Sequence, residues 1–280
     1  MAERMIETNN VELCTEPFGD PADPPILLVM GMGGSMIWWE DDFCRMLADG
    51  GRFVIRYDHR DTGRSVTDPP GRPDYSFAEL VSDAAGVLDA YGIRAAHVLG
   101  ISMGGAIAQL LALDFADRVL SLVLMSTSPA GPGDRGLPPM TQEYARFVAS
   151  SEVDWSDAEA VIEYIVADSR ALAGGRPFDE AGIRELAARD VKRTRNVASA
   201  QNHAAISGAA RWRERLPSIA VPTLVIHGTA DPLFELEHGV ALAEEIPGAR
   251  LLTLEGSGHG LDRADWAMIV RAILDHTALA

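Results

Sequence analysis

Short unbroken apolar runs recur along this chain at residues 26–29, 53–57, 97–100, 120–125, 223–227 and 251–254, and longer segments of helical periodicity separate them. Each run is too short for a helix and lacks the polar alternation of a strand with one wet face, as expected of strands covered on both sides. Strands alternating with helices imply parallel β-α-β units. A weaker run at 11–15 reads as an antiparallel edge strand. Between Ser128 and Pro217 the strand signal disappears, and Pro129, Gly131, Pro132, Gly133, Gly136, Pro138 and Pro139 open the gap as a long loop. Helical patterns follow at 144–149, 157–170 and 180–192, the second with Ser156 as its cap and Glu159 three residues on. The sheet pattern resumes at Val221-Pro-Thr-Leu-Val-Ile-His227. The fold class is therefore α/β: a core of residues 1–128 and 217–280 interrupted by a helical cap, residues 129–216, that roofs the site.

Composition narrows the function. A formal charge of −17 would repel a phosphate backbone, so nucleic acid is not an expected partner, whereas a neutral or cationic small molecule is. With 47% hydrophobic and 23% charged residues the composition is that of a globular protein, and no apolar run reaches membrane-spanning length. Acidic residues stand where a signal peptide would be basic, so the cytoplasm is the expected location. Cys14 and Cys44, two cysteines in 280 residues, read as free thiols. Monomer and homodimer both remain open.

Candidate chemistry centres on His97-Val-Leu-Gly100-Ile-Ser102-Met-Gly104, a G-x-S-x-G pattern running from a strand into a helix. Glycines on either side let strand and helix approach around a sharp turn that exposes the serine. The helix N-terminus there favours developing negative charge. A serine hydroxyl needs a histidine base and an acid that holds the histidine's tautomer, and around such an elbow the chain order is serine, acid, histidine. Asp231, in His227-Gly-Thr-Ala-Asp231, and His259, in Glu255-Gly-Ser-Gly-His259-Gly260, follow strands in that order. The other customary place for the acid, after residues 120–125, holds only Ser126, Thr127 and Ser128. Glu255 and Asp262 would serve only if the last loop folded back. His227 reads as a packed strand-end residue, His59 as a loop residue, and His97, His203, His238 and His276 lack a partner pattern. Backbone N–H groups of Met103, after the nucleophile, and Met32, in Met30-Gly-Met-Gly-Gly-Ser35, are the expected oxyanion donors. No metal-ligand spacing occurs, and neither a metal nor another cofactor is expected.

These motifs together resemble the α/β-hydrolase family over nearly the full length apart from the cap. Leu28-Val-Met-Gly-Met-Gly, Arg56-Tyr-Asp-His-Arg-Asp-Thr-Gly-Arg-Ser65, Gly100-Ile-Ser-Met-Gly-Gly105 and Gly258-His-Gly260 resemble its successive signatures. Asp61 departs from a usual glycine and Met30 from a histidine that often precedes the oxyanion glycine, while Asp58 and Arg60 read as loop-fixing residues. Gly19-Asp-Pro-Ala-Asp-Pro24, with the Tyr57–Ser65 run, resembles the aclacinomycin methylesterases and macrolide esterases within the family. The resemblance implies a serine esterase acting through an acyl-enzyme on a glycosylated polyketide, a macrolide lactone first and an anthracycline methyl ester second. General carboxylesterase, perhydrolase and carbon–carbon hydrolase activities use the same residues, and a non-catalytic ligand receptor is the reading from another class. Trp38, Trp39, Met140, Tyr144, Phe147, Trp155 and Trp212 are candidates for the lining of a broad apolar pocket.

Overall fold

The structure, a computed structural model, describes residues 2–129, 136–206 and 211–278. Its strands are β1 (Arg4–Thr8), β2 (Val11–Phe18), β3 (Pro25–Val29), β4 (Phe53–Tyr57), β5 (Ala96–Ile101), β6 (Val119–Met125), β7 (Thr223–Gly228) and β8 (Arg250–Leu254). They form one sheet in the order β1-β2-β4-β3-β5-β6-β7-β8, parallel from β4 to β8 and antiparallel at β1 and β2. The helices are α1 (Asp41–Asp49), α2 (Phe77–Ala90), α3 (Met103–Asp114), α4 (Gln142–Ser150), α5 (Ala158–Leu172), α6 (Glu180–Arg193), α7 (Asn202–Ala205), α8 (Leu236–Glu245) and α9 (Trp266–Thr277).

The unbroken runs divide residue by residue between two apolar layers. Leu27, Val29, Ile55, Val98, Leu122, Leu124 and Val225 pack with Leu80 and Val81 of α2, Ile107 and Leu111 of α3 and Leu242 of α8. Ile26, Leu28, Val54, Leu99, Val123 and Ile226 pack on the opposite face with Phe43 and Leu47 of α1 and Ile269, Val270 and Ile273 of α9. Each such side chain contributes about 1.5–3 kcal/mol on burial.

Two local expectations change. The 11–15 strand is not the edge, because β1 lies outside it, joined through Asn9 and Asn10 at φ +47° and +62°. Two left-handed residues make the tight turn whose twist suits a hairpin. β1 escapes the pattern because Ile6 is its one buried residue. Helix α5 is capped by Asp157, which accepts from Glu159 N at 2.9 Å and Ala160 N at 3.4 Å, while Ser156 Oγ turns to Asp154 Oδ1 at 2.6 Å. An aspartate one residue nearer the first free amides takes the capping role.

Helices α4 to α7 stand between β6 and β7. Within residues 129–216, however, Trp212 and Leu216 pack into the α2/α3 layer, Trp212 stacking on Phe77 and donating to Gln109 Oε1 at 2.9 Å. Gly131, Pro132 and Gly133 of the expected opening loop lie outside the described residues. Cys14 and Cys44 are buried free thiols, both pushed by burial up to about 12. No helix among the described residues is long and apolar enough to cross a membrane.

Candidate active site

Strand β5 ends at Ile101 and α3 begins at Met103, so Ser102 alone makes the turn, at φ +54° and ψ −121°. That conformation suits glycine and costs a serine on the order of 1–3 kcal/mol. Surrounding bonds hold it: Ser102 N donates to Met125 O at 3.0 Å, and Ser102 O accepts from Gly105 N at 2.9 Å and Thr127 Oγ1 at 2.7 Å. The flanking glycines are required by contact. A Cβ on Gly100 would lie 2.1 Å from Gly104 O, and one on Gly104 would lie 2.1 Å from Val29 O.

Asp231 stands beyond the end of β7 and His259 beyond β8, on the same carboxyl edge of the sheet as Ser102. Asp231 Oδ1 accepts from Leu233 N and Phe234 N, each at 2.9 Å, while Oδ2 lies 2.8 Å from His259 Nδ1 and 3.6 Å from His227 Nε2. Burial pushes the Asp231 carboxyl up, but His259, His227 and the backbone donors together hold it below the usual carboxylate range. With Nδ1 facing the carboxylate, Nε2 is the nitrogen left to take a proton. The structure joins Asp231 to His259 but places no hydrogen bond between His259 and Ser102 Oγ. Such contacts commonly tighten only around substrate. Of the rival acids, Asp262 Oδ1 accepts from Ala264 N at 2.9 Å, and Glu255 is exposed to solvent.

Both expected oxyanion donors border Ser102. Met103 opens α3, so its N–H has no intrahelical acceptor. A Cβ on Gly31 would lie 3.3 Å from Ser102 Cβ, which brings the next peptide, carrying Met32 N–H, beside the nucleophile. That loop is clamped by residues to which the sequence reading gave no such role. Gly33 N donates to His203 Nδ1 at 3.0 Å, His59 Nε2 donates to Met30 O at 3.0 Å, and Asp190 accepts from Ser35 Oγ at 2.5 Å and Trp38 Nε1 at 2.7 Å. The loop-fixing reading of the 57–65 run describes the observed contacts. Asp58 Oδ1 accepts from Met36 N at 2.7 Å, and Arg60 grips Asp83 with two bonds at 2.6 and 2.9 Å. Asp61 sits at φ +66°, where glycine would be unstrained, and its carboxylate ties down Asp68 N, Tyr75 OH and Asn202 Nδ2.

Of the expected pocket residues, Trp39 and Trp212 are core. Trp39 is fully buried and stacked on Phe43, and Trp212 packs as described above. Trp38 joins a small cluster with Met36, Ile37 and Leu186, and Met140 is exposed. Tyr144, Phe147, Tyr164 and Trp155 form a chain of ring contacts across α4 and α5. A cavity of about 1060 Å³ opens beside them, with Phe147, Val166, Ala167, Ala230, Asp231 and Pro232 in its wall. Ser102 and His259 are not part of that wall. Tyr144 OH lies 3.0 Å from Asp168 Oδ1, and Asp168 feels the charge of His259, which draws its carboxyl down against a larger upward push from burial. Helix α5 also reaches the histidine loop directly, since His259 N donates to Leu172 O at 2.8 Å.

The buried histidines make stability depend on pH. Burial pushes His59, His97 and His203 down to about 4 from 6.5, so the unfolded chain takes up their protons first as the pH falls. Their contribution is complete above pH 6.5 and is lost between 6.5 and 4; one such histidine accounts for about 3 kcal/mol. Asp58 and Asp168, raised by burial, act in the opposite sense. Urea denaturation at pH 7.5 and 5.0 should show a lower midpoint at pH 5.0, and an unchanged midpoint would refute the balance.

Residues 24–160 match the alpha/beta hydrolase fold family and residues 193–273 the TAP-like protein family. Rhodomycin D methylesterase DnrP of Streptomyces peucetius is 37% identical over all of this chain and 99% of its own length. Rhodomycin D methylesterase DauP of Streptomyces sp. (strain C5) is 38% identical with the same coverage. Among solved structures, esterase RhEst1 from Rhodococcus sp. ECU1013 superposes with a TM-score of 0.79 at 26% identity, over 98% of this chain and 99% of that one.

Proposed function

We propose, from the premise that this chain belongs to the α/β-hydrolase family and is an ester hydrolase, that it cleaves a carboxylic methyl ester on an anthracycline-type polyketide through Ser102, His259 and Asp231. The bond between His259 Nδ1 and Asp231 Oδ2, 2.8 Å long and placed on the same sheet edge as a strained serine, carries the mechanism. The two full-length methylesterase relatives carry the choice of ester.

In the first step Ser102 Oγ attacks the ester carbonyl as His259 Nε2 takes its proton, and Met32 and Met103 N–H groups receive the oxyanion. Collapse expels methanol, protonated by His259, and leaves the acyl-enzyme. Water, deprotonated by the same histidine, attacks in turn and releases the free acid and Ser102. In the same reading the segment between β6 and β7 roofs the site, with Tyr144 and Asp168 on its inner side. Macrolide lactone opening, first in order from sequence alone, becomes the second reading, because both full-length relatives carry the methylesterase name.

Mass spectrometry of the protein and of Ser102→Ala with aclacinomycin, a macrolide panel and simple methyl esters tests this. The expected product is the anthracycline acid with methanol, absent in the variant. Water added to a macrolide would make the protein a lactonase. Turnover of simple esters alone would remove the polyketide substrate and keep the mechanism. No turnover and no fluorophosphonate labelling of folded protein would leave a non-catalytic receptor.

A further inference from the structure

We infer that His59 and His203 are positioning residues that orient the oxyanion donor, by holding the two peptides on either side of the peptide that carries it. The inference rests on the proposed role of Met32 N–H. That N–H belongs to the Gly31–Met32 peptide. The preceding peptide presents Met30 C=O to His59 Nε2 at 3.0 Å, and the following one presents Gly33 N–H to His203 Nδ1 at 3.0 Å.

Hydrogen-bond polarity fixes both tautomers. Gly33 N–H donates into His203 Nδ1, so the ring's proton is on Nε2, where it donates to Arg60 O at 2.8 Å. Met30 O only accepts, so His59 also carries its proton on Nε2. The rings are buried, at 1% and 3% exposure, and meet edge to face at 5.8 Å. Burial keeps both neutral near pH 7, and a protonated His203 would set an N–H against the Gly33 N–H.

The loop needs this support. Gly31 lacks a side chain, and Gly33 takes φ +72°, so the backbone on either side of Met32 is intrinsically free to turn. Oxyanion stabilisation depends on donors fixed before the charge appears. The two holds come from different parts of the fold: His59 follows β4 in the core, whereas His203 rides on α7 in the segment between β6 and β7. The donor is thus set between core and insertion.

Amide side chains separate this role from packing, because asparagine can reproduce Nδ1 of histidine and glutamine Nε2. At position 203 the required group is the Nδ1 acceptor, so His203→Asn should keep activity and His203→Gln lose it. At position 59 the required group is the Nε2 donor, so His59→Gln should keep activity and His59→Asn lose it. The four full-length variants are compared by thermal melting, by kcat and KM on an ester that the parent hydrolyses, and by the rate of fluorophosphonate labelling, which builds charge in the same hole. We expect kcat and labelling to fall about 10- to 100-fold in His203→Gln and His59→Asn, with KM within about threefold, and to stay within about fivefold in the other two. Equal losses in all four, no loss in any, or losses that merely follow melting temperature would overturn the inference. Should one pair fail to fold, the other decides. Ser102→Ala run alongside separates the premises: if it is inactive and the crossed pattern is missing, only this inference fails, whereas an active Ser102→Ala removes the serine mechanism itself.

Discussion

Replacing Ser102 by alanine should lower kcat/KM by about 10⁴- to 10⁶-fold while leaving the protein folded, since a nucleophile's loss leaves only the residual rate given by binding and the oxyanion donors. Activity within tenfold of the parent would remove Ser102 from the mechanism. A second substitution separates chemistry from strain. Alanine keeps the burden of φ +54° and ψ −121°, whereas glycine adopts that conformation freely. Ser102→Gly should therefore be as inactive as Ser102→Ala yet more stable by about 1 kcal/mol in urea denaturation. Equal stabilities would mean that the bonds from Met125, Gly105 and Thr127 fix a turn with little strain in it.

The elbow was legible before the fold because its requirements are local. Strand, glycine, serine, glycine and helix follow one another within eight residues, so the pattern marks the turn by itself, although Gly104 also makes room for Val29 O, which no local pattern shows. The doubly covered strands were legible for a similar reason: apolar residues on both faces leave no polar alternation. β1 was not, because a single buried residue, Ile6, gives no period to detect, and its place at the edge depends on an Asn-Asn turn. The two pocket candidates that the fold places in the core, Trp39 and Trp212, show the complementary limit. Burial of a large aromatic is decided by what the tertiary fold brings to it, and Gln109, which accepts the Trp212 N–H, lies 103 residues away.

The contacts that clamp the oxyanion loop were hidden for the same reason. His203 follows Gly33 by 170 residues and Asp190 follows Ser35 by 155, and nothing local marks either as a partner. A hint lay in Met30, which leaves the usual histidine position before the oxyanion glycine without a ring. The structure supplies two rings to that loop from elsewhere in the chain. The acid–base pair falls between these extremes. Its order along the chain was readable, whereas the backbone bonds that orient Asp231 were not.

Those backbone bonds make Asp231→Asn the more informative of the two largest losses. Oδ1 of Asp231 accepts two amides, Leu233 N and Phe234 N, so an asparagine must place its carbonyl oxygen there. Its NH₂ group then faces His259 Nδ1, and a donor in that position compels Nδ1 to accept. The ring proton moves to Nε2, the nitrogen that must be empty to take the proton of Ser102. The same NH₂ group would point toward His227 Nε2, which already donates to Phe234 O at 2.7 Å, so no compensating bond forms there. We expect kcat to fall about 10⁴-fold with KM little changed, and fluorophosphonate labelling of Ser102 to slow in parallel, in a protein that keeps its fold. Asp231→Ala differs in kind: it frees the tautomer but strips two buried amides of their acceptor, at a cost of about 1–3 kcal/mol each in stability. Activity of Asp231→Asn within tenfold of the parent would show that another group orients His259, and Asp168, whose carboxyl feels the charge of that histidine, would be the next to replace.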